Sequence, residues 1–328
     1  MRDILCRYLI QVIEKGELSM RLITRSDFDG LVCGMLLMEK GIIDSWKFVH
    51  PKDLQDNLFQ PDVNDVLANV PYVQGCGMWF DHHVSEKERV GWNHDVKGAS
   101  HLAPSAARII YDYYGGAYGF PQHFDMLIEA ADKMDNGNLK VEEILNPTGW
   151  VLLGFIADPR TGLGRFRNFR ISNLQLMEEL ITRCRHNTID EILAMPDIKE
   201  RVDMYNKQTE LFKKMILEHT RTDGNVIVTD LRGVSPIYTG NRFLIYSLFP
   251  DQNISCWMVD GRAKINISIA CGYSIINRSA RTHVGSLMLR YGGGGHERVG
   301  TCQVASDDAD RVLGEIVRQM KQDEAGIK

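Results

Sequence analysis

The stretch MWFDHHVSEKERVGW, Met78–Trp92, places one acid and two histidines in a row directly after an apolar run. Successive side chains of a strand point to opposite faces, so Asp81, His82 and His83 cannot share one core environment inside a strand. At the end of a strand they can instead surround one point. Carboxylate and imidazole groups around one point favour a metal ion or a phosphate there. A solvated loop is the simpler alternative, in which the three residues occur together by chance.

A second stretch, LITRSDFDGLVCG, carries Asp27 and Asp29 two positions apart and then Gly30, at the junction of a predicted strand and helix. Two carboxylates at this spacing can reach one cation or two adjacent cations. The glycine allows a sharp turn and brings the helix N-terminus close to an anion. A plain turn capped by an aspartate is the alternative. An EF-hand calcium loop fits poorly, because the glycine comes too early and no glutamate ligand follows at the right distance. An aspartyl-phosphate phosphatase motif also fits poorly, because Leu31 rather than threonine follows the glycine.

Together the two stretches predict a dinuclear metal site with mixed oxygen and nitrogen ligands. Such ligands suit manganese, or magnesium with fewer imidazoles. Two such ions can clamp a phosphoryl group and lower the pKa of a bridging water.

A third stretch, RYGGGGHERVGT, adds four consecutive glycines, whose N–H groups can form a concave anion-binding nest with His296 and Arg298 as further donors. A flexible loop is the alternative, but the helix before it and the strand after it favour an ordered turn.

These stretches lie among alternating strands and helices in the first half of the chain. The pattern of apolar residues, glycines and prolines predicts strands at Arg21–Thr24, Trp46–His50, around Asp65–Tyr72 and at Gly77–Phe80, and helices at Leu31–Lys40, Pro104–Tyr114 and His123–Met134. Such alternation indicates an α/β fold with a doubly wound, mostly parallel sheet covered on both faces. Ligand sites in these sheets lie at the carboxyl ends of the strands, where both sharp motifs fall.

The second half has a different organisation. Helices are predicted at Ser172–Arg185 and Lys199–Thr220, after which strand patterns return from Asn225. We therefore predict an N-terminal α/β domain at 1–195, a helical connector at 196–223 and a smaller C-terminal α/β domain at 224–328. The first residues, MRDILCRYLIQVIEKGEL, predict a short amphipathic helix without the features of a signal peptide, and Met20 is an alternative start.

The composition of the 328 residues is typical of a globular protein, with 44% apolar and 25% charged residues. The net charge of -5 provides no overall basic field for nucleic acid, so a polyanionic partner must be bound by local basic groups. The cysteines are scattered without a C-x-x-C pair, which favours reduced thiols in a cytoplasm over a zinc cage or a disulfide framework. No apolar run approaches the length that spans a bilayer.

The order DFDG, FDHH, Asp132 and then GGGGH resembles the DHH phosphoesterase superfamily, and the second half resembles its DHH-associated domain. The resemblance covers nearly the whole chain. The stretch GYSIINRSARTHVGSLMLRYGGGGHERVGTC resembles bacterial proteins described as exopolyphosphatase-like or nanoRNase-like. The superfamily includes single-strand exonucleases, nanoRNases, cyclic-dinucleotide phosphodiesterases, exopolyphosphatases and manganese pyrophosphatases. The resemblance therefore implies a metal-dependent hydrolase of phosphate compounds.

The resemblance also assigns roles to residues. The family's first motif is His-x-Asp-x-Asp, which Asp27 and Asp29 match, whereas Arg25 stands at the histidine position. The second motif is one aspartate that bridges two metals, and our alignment places Asn69 there. Two nearby acids are alternatives: Asp62 and Asp65. Arginine is a permanent cation, so Arg25 can take the place of the lost ion, neutralise Asp27 and contact a phosphate oxygen. A dead site with only an Arg25–Asp27 ion pair is the alternative.

The third motif is matched fully by the Asp-His-His triplet, and the fourth is placed at Asp132, with Asp135 as the second choice. The resemblance thus implies five metal ligands: Asp27, Asp29, Asn69, His82 and Asp132. It implies catalytic roles for three residues: Arg25, Asp81 and His83. Because two ligand positions are changed, the expectation is one Mn²⁺ ion, with Mg²⁺ as the alternative metal, and two ions if the first site survives.

Substrate binding is implied for the C-terminal domain, across a cleft from the metal site. Arg278 of INRS matches the family's phosphate-binding arginine, and the glycine nest completes the set: Gly293, Gly294, Gly295 and His296. A basic cluster in DPRTGLGRFRNFR is either a solvated loop or a contact for nucleotide phosphates: Arg160, Arg165, Arg167 and Arg170. Phe166 and Phe169 could stack on a base, although core packing is the more common role.

We therefore expect a cytoplasmic, metal-dependent phosphohydrolase that cleaves a phosphoester or phosphoanhydride in a cleft between two domains. The expected substrates are phosphate-containing small molecules: a short single-stranded oligonucleotide, a nucleotide phosphate or polyphosphate. The alternative is a catalytically impaired nucleotide- or phosphate-binding protein, which the changes at Arg25 and Asn69 favour. No membrane partner is expected, and a homodimer is left open.

Overall fold

The structure is a computed structural model that describes residues 19–92, 95–261 and 265–326. The helix predicted for the first residues of the chain lies outside this described part. Contacts divide the chain into two compact units. The first unit contains the described residues up to Asn138 together with Gly149–Pro159 and Phe166–Lys199, and the second contains Leu139–Thr148, Arg160–Arg165 and the described chain from Glu200.

The first unit contains a five-stranded sheet. Its strands are β1 Met20–Thr24, β2 Ile43–Phe48, β3 Asp65–Ala68, β4 Met78–Asp81 and β5 Lys97–Ser100. They lie in the order β2-β1-β3-β4-β5, and every neighbouring pair is parallel. All residues of β3 and β4 are buried, as is typical of parallel strands that are covered on both faces. The predicted α/β class with a parallel N-terminal sheet is therefore confirmed.

Helices follow most of these strands and continue through the chain. In the first half they are α1 Phe28–Glu39, α2 Pro51–Gln55, α3 Val84–Val90, α4 Ala106–Tyr113, α5 Gly116–Gly119, α6 Asp125–Asn136, α7 Val141–Leu145 and α8 Gly149–Ala157. In the second half they are α9 Asn173–His186, α10 Ile189–Ala194, α11 Pro196–His219, α12 Leu244–Leu248, α13 Val284–Leu289 and α14 Ala309–Ala325. The long helices predicted around α9 and α11 are present.

Three local features of the first unit differ from the sequence-based expectations. Helix α1 begins at Phe28, three residues before the predicted start, because Asp27 caps its N-terminus. Strand β3 ends at Ala68 rather than near Tyr72, because Asn69 adopts a left-handed φ of 57° and breaks the extended backbone. Strand β5 was not predicted, since its sequence KGAS lacks the apolar and branched residues that mark a strand.

The second unit contains a mixed six-stranded sheet. Its strands are β6 Thr220–Asp223, β7 Val226–Asp230, β8 Ile254–Asp260, β9 Asn266–Tyr273, β10 Gly294–Gly295 and β11 Val299–Ala305. Their order is β10-β11-β9-β8-β7-β6, with β7 and β8 parallel and the other pairs antiparallel. Apolar residues of β7, β8, β9 and β11 share one buried cluster with residues of α13 and α14. This unit is the predicted second α/β region.

The predicted domain limits of 1–195, 196–223 and 224–328 stay predictions. The contact-based units differ from them in two short segments of the first half that belong to the second unit, Leu139–Thr148 and Arg160–Arg165. Within the described residues, no helix combines the length and the apolar character that are needed to cross a membrane.

Candidate functional site

Parallel strands bring their carboxyl ends to one edge of a sheet, and three strand ends carry polar side chains here. Asp27 follows β1, Asn69 follows β3, and Asp81 is the last residue of β4. All three side chains are almost completely buried. Buried polar groups need hydrogen-bond partners or a bound ion, so this edge of the sheet is a candidate binding site.

One group of side chains at this edge has the spacing of a metal site. One ligand atom from each of Asp29, His82 and Asp135 lies within 4.8 Å of the others. Nε2 of His82 lies 3.2 Å from Oδ2 of Asp135 and 3.8 Å from Oδ2 of Asp29. Two carboxylates and one imidazole around a common point form a typical ligand set for a divalent ion such as Mn²⁺.

Asp132 was predicted to be the fourth-motif ligand, and the structure places it elsewhere. Its carboxylate accepts hydrogen bonds from Ser105 Oγ at 2.7 Å and from Arg108 Nε and Nη2 at 2.9 and 2.7 Å. Asp135, one turn later in α6, is the residue beside His82. Both acids lie on the same side of a helix because they are three residues apart. The sequence alone therefore could not separate them, and the second choice takes the position beside the histidine.

The His82 ring is oriented by its other nitrogen. Nδ1 lies 3.2 Å from the carbonyl oxygen of Ala103, so the tautomer with hydrogen on Nδ1 donates to this oxygen and leaves the Nε2 lone pair facing the acids. Nε2 is buried, and none of the described residues forms a hydrogen bond with it, since the Asp135 contact lacks hydrogen-bond geometry. Burial lowers the pKa of His82 against the opposing effect of the Asp135 charge. A neutral ring is the form that binds metals.

His83 has a different environment although it is the next residue. Its Nδ1 lies 2.8 Å from Oδ1 of Asp81, and its backbone N–H donates to Oδ2 of the same carboxylate at 3.3 Å. The His83 side chain is 35% exposed, whereas Asp81 is fully buried. Burial lowers the pKa of His83, but the hydrogen bond and the charge of Asp81 outweigh this effect and raise the pKa to about 9. The contact with Asp81 therefore favours the protonated, hydrogen-bond-donating form of His83.

The first turn of α4 holds the Asp29 carboxylate. The backbone N–H groups of Ala106 and Ala107 donate to its Oδ2 and Oδ1 at 3.0 and 2.8 Å. Burial, followed by repulsion from Asp135 and Asp27, nevertheless raises the pKa of Asp29 well above its ordinary value. A divalent cation between these acids would relieve that repulsion and favour the ionised carboxylates.

The Asp27 carboxylate caps a helix with one oxygen and contacts Arg25 with the other. Its Oδ1 accepts from the Gly30 N–H at 3.0 Å, which caps α1, and from Asn69 Nδ2 at 2.9 Å. Its Oδ2 lies 3.2 Å from Arg25 Nε. Gly30 is required for this turn, because an added Cβ would lie 2.2 Å from the Arg25 carbonyl oxygen. The structure thus brings Asn69 and Arg25 to Asp27, while Asp65 pairs with Arg21 at 2.8 Å.

These contacts show that a cation fits the site. His82 Nε2, Asp27 Oδ2 and Asn69 Oδ1 are buried, and within the described part of the chain they have no hydrogen-bond partner. Each presents a lone pair that a metal ion could accept. Arg25 already places a positive charge beside Asp27. The group in which a bound cation would compensate the most charge is therefore Asp29, His82 and Asp135. An ion held by these three residues would have further coordination positions open for substrate oxygens.

The glycine run of the second unit is more ordered than an open nest. Gly292 and Gly293 donate their N–H groups to the carbonyls of Leu289 and Met288 at 3.1 and 3.0 Å, and His296 donates to Val299 at 2.7 Å. Those three N–H groups are therefore not presented to a ligand, which corrects the expectation of a nest of consecutive free donors. Two of the glycines, Gly294 and Gly295, form β10 and pair with β11.

Other predicted contact residues are less closely defined. Arg278 donates through Nε to the carbonyl of Ile275 at 3.0 Å, and His296 is exposed. The basic stretch is divided between the two units, with Arg160–Arg165 in the second and the later arginines in the first. Phe166 and Phe169 pack edge to face with ring centroids 6.2 Å apart. Their roles in substrate binding stay predictions.

Comparison with known proteins identifies relatives of this architecture. The chain is 47% identical to a pGpG-specific phosphodiesterase, PggH, from Vibrio cholerae, and the match covers 93% of this chain and 99% of that one with a TM-score of 0.83. An exopolyphosphatase-related protein from Bacteroides fragilis is 12% identical, with coverage of 95% and 96% and a TM-score of 0.50. RecJ from Thermus thermophilus, solved with Mn²⁺, is 12% identical over 93% of this chain and 52% of that one, with a TM-score of 0.53.

The last two similarities concern the fold alone. No protein-family model matches the chain, and a search of curated proteins finds no match either. The PggH match extends along almost the whole of both chains at an identity at which homologous proteins share their fold and their class of chemistry. The protein therefore belongs to the DHH phosphoesterase superfamily, as the sequence motifs implied, and is a phosphoesterase of the hydrolase class.

Proposed function

We propose that the protein is a metal-dependent phosphodiesterase that hydrolyses the linear dinucleotide pGpG to two molecules of GMP. The observation that carries the substrate is the 47% identity with the pGpG-specific enzyme over 93% of this chain. The observation that carries the chemistry is the Asp29, His82 and Asp135 group, in which the buried Nε2 of His82 has no hydrogen-bond partner among the described residues. pGpG is also a short single-stranded oligonucleotide, which is one of the three substrate classes expected from the sequence.

We propose one divalent ion, Mn²⁺ with Mg²⁺ as the alternative, bound by Asp29, His82 and Asp135. The ion would supply Lewis-acid chemistry and stabilise the negative charge that develops on the phosphate oxygens. A second ion is not expected beside Asp27, because the Arg25 guanidinium lies 3.2 Å from its carboxylate and Asn69 donates to it at 2.9 Å. A neutral amide there removes the charge with which an aspartate would bridge two ions.

The chain's own residues divide the remaining work. His83 is partly exposed, its protonated form is favoured by Asp81, and it would donate a hydrogen bond to a phosphate oxygen. Asp81 keeps the His83 ring in place through its 2.8 Å contact with Nδ1, which leaves Nε2 as the donor toward the substrate. Arg25 neutralises Asp27, and its guanidinium would offer further donors to a phosphate oxygen. Donors fixed in advance around a phosphate stabilise developing charge without reorganisation.

For the second unit we propose phosphate contacts by Arg278, His296 and the glycine strand. Gly294 is the informative position. No atom of the described residues lies within 4 Å of a Cβ added there, and the backbone is not in the left-handed region. By contrast, an added Cβ at Gly293 would lie 2.0 Å from the Thr301 carbonyl and at Gly295 2.2 Å from the Val299 carbonyl. A side chain at position 294 would therefore enter open space, and the local backbone does not require a glycine there.

Gly294→Val should raise the KM for pGpG by about tenfold or more, since the side chain would occupy the space of an anion whose hydrogen bonds contribute about 1.5 to 3 kcal/mol. The melting temperature should change by less than about 2 °C, because the added side chain enters open space on a strand. Steady-state kinetics and thermal unfolding measure the two effects. Gly314→Val, another position where a Cβ meets nothing, is the control. An unchanged KM in the Gly294 variant would show that the glycine strand is only structural.

The substrate proposal is tested with purified protein, Mn²⁺ and a panel of phosphate compounds. The panel contains pGpG, pApA, cyclic di-GMP, a longer oligonucleotide and polyphosphate. We expect pGpG to have the largest kcat/KM, with GMP as the product. A preference for polyphosphate would overturn the choice of substrate class. Tight binding of pGpG without turnover would favour the catalytically impaired binding protein instead.

A cytoplasmic location is proposed on the state of the thiols. The cysteines in the described part of the chain are free and buried, which is typical of proteins kept in reducing surroundings. Formation of a homodimer stays a prediction.

A further inference from the structure

Helix α6 carries two acids one turn apart, and they have different partners. Asp135 lies beside His82, whereas both oxygens of Asp132 are occupied by residues at the start of α4. Ser105 Oγ donates to Oδ1 of Asp132 at 2.7 Å, and the Arg108 guanidinium donates twice to Oδ2 at 2.9 and 2.7 Å. Two arginine hydrogen bonds to one carboxylate oxygen and a hydroxyl hydrogen bond to the other together fix the position of the carboxylate and of its partners.

The partners of Asp132 form the N-terminal cap of α4. Ser105 is completely buried and is the capping residue, because its Oγ also accepts from the Arg108 N–H at 3.0 Å. Ser105 Oγ is thus held from two sides, by the helix that it caps and by Asp132. This arrangement determines where the following backbone N–H groups point.

Two candidate metal ligands depend on this first turn. The N–H groups of Ala106 and Ala107, the two residues after the cap, donate to the two oxygens of Asp29. The Ala103 carbonyl, two residues before the cap, accepts from Nδ1 of His82 in the tautomer described above. A shift of this turn would move both contacts, and a metal site tolerates only about 0.5 Å of such movement.

We propose that Asp132 is a positioning residue for the metal site, which it serves through Ser105 and the first turn of α4. It does not touch the ion or the substrate. This inference rests on the proposed function, since it assumes that Asp29 and His82 bind a metal. Partners one step removed from metal ligands typically change metal affinity by about ten- to a hundredfold when they are lost.

The test measures Mn²⁺ affinity directly, by calorimetry and by the electron paramagnetic resonance signal of free Mn²⁺, in the full chain. Asp132→Asn keeps the shape of the side chain but loses the charge that holds Arg108. We expect its dissociation constant for Mn²⁺ to rise by about ten- to a hundredfold. The KM for pGpG at saturating Mn²⁺ should stay within about twofold, because Asp132 makes no substrate contact. Asp132→Glu, which retains the charge, should recover part of the affinity.

Two further variants separate positioning from helix packing. Ser105→Ala removes the hydroxyl that links Asp132 to the helix cap. The double variant Ser105→Ala with Asp132→Asn should have a dissociation constant for Mn²⁺ within about threefold of that of the weaker-binding single variant, since both residues act in one network. Asp125→Asn is the matched control, because Asp125 also links α6 to α4 through the Tyr111 hydroxyl at 2.6 Å. It should leave Mn²⁺ affinity unchanged.

Each outcome bears on the inference. Wild-type Mn²⁺ affinity in both Asp132→Asn and Ser105→Ala would overturn the positioning role of Asp132 and would leave the proposed metal site intact. An equal loss of affinity in Asp125→Asn would also overturn it, because general packing of α4 on α6 would then explain the effect. A wild-type protein that binds no Mn²⁺ would overturn the proposed function and this inference with it.

Discussion

His82→Ala is expected to remove Mn²⁺ binding and to lower pGpG hydrolysis by more than about a hundredfold. Groups one step removed from metal ligands already contribute about ten- to a hundredfold, so a direct ligand should contribute at least that much. His82 Nε2 is buried, lies 3.2 Å from Asp135 and has no hydrogen-bond partner among the described residues. Its loss would leave the acids around Asp29 without the nitrogen that completes the group.

The matched control for His82→Ala is His123→Ala. His123 is exposed, and its ring contacts the Arg185 carbonyl at 3.4 Å. Metal analysis after gel filtration and kinetics at several Mn²⁺ concentrations measure the effect, and circular dichroism verifies the fold. The control should retain metal and activity. A His82→Ala protein with full metal content and full activity would remove His82 from the site.

His83→Ala is expected to keep Mn²⁺ and to lose turnover. The side chain is directed by Asp81 rather than by the Asp29 group, and it is the more exposed of the two histidines. Removal of one preorganised donor to a developing oxyanion lowers kcat by about a hundred- to a thousandfold, and we expect an effect of this size for the donor that His83 offers to phosphate. Metal content should stay at the wild-type value, because neither His83 nitrogen belongs to the Asp29, His82 and Asp135 group.

His83→Gln provides the second variant for this prediction, since its amide can donate a hydrogen bond without carrying charge. It should recover part of the lost kcat. Metal content and kcat are measured on the same preparations. Loss of Mn²⁺ in both His83 variants would mean that the two adjacent histidines act together in metal binding, against the division that their hydrogen bonds indicate.

The parallel sheet was predictable because its signals are local. Apolar strands that alternate with helices allow few arrangements, and the carboxyl ends of such strands meet at one edge. Asp27, Asp29 and His82 were identified for this reason, and the structure brings all three to that edge. The short strand β5 has no such signal in its sequence KGAS. Its glycine, Gly98, is required by close packing in the folded protein, because an added Cβ would lie 2.1 Å from the Trp79 carbonyl.

The rest of the candidate site depends on contacts between distant residues. Asp132 and Asp135 share a helix face, and the packing of α6 against its neighbouring helices decides which one lies beside His82. The contacts of Ser105 with Asp132 and of the Ala103 carbonyl with His82 have no sequence signature, because their partners lie far away along the chain. The glycine run was expected to be an ordered turn with free N–H groups, but the partners of those groups are set by β11 and by the end of α13.

The central claim is that a single divalent ion, bound by Asp29, His82 and Asp135, is required for phosphodiester hydrolysis. Titration of metal-free protein with Mn²⁺, with bound metal and pGpG hydrolysis measured in the same samples, tests it most directly. The account predicts no hydrolysis without metal, activity that rises with bound Mn²⁺, and saturation at about one ion per chain. The double variant Arg25→His and Asn69→Asp, which restores the family pattern, should bind about one ion more. Full hydrolysis by the metal-free protein would contradict the account.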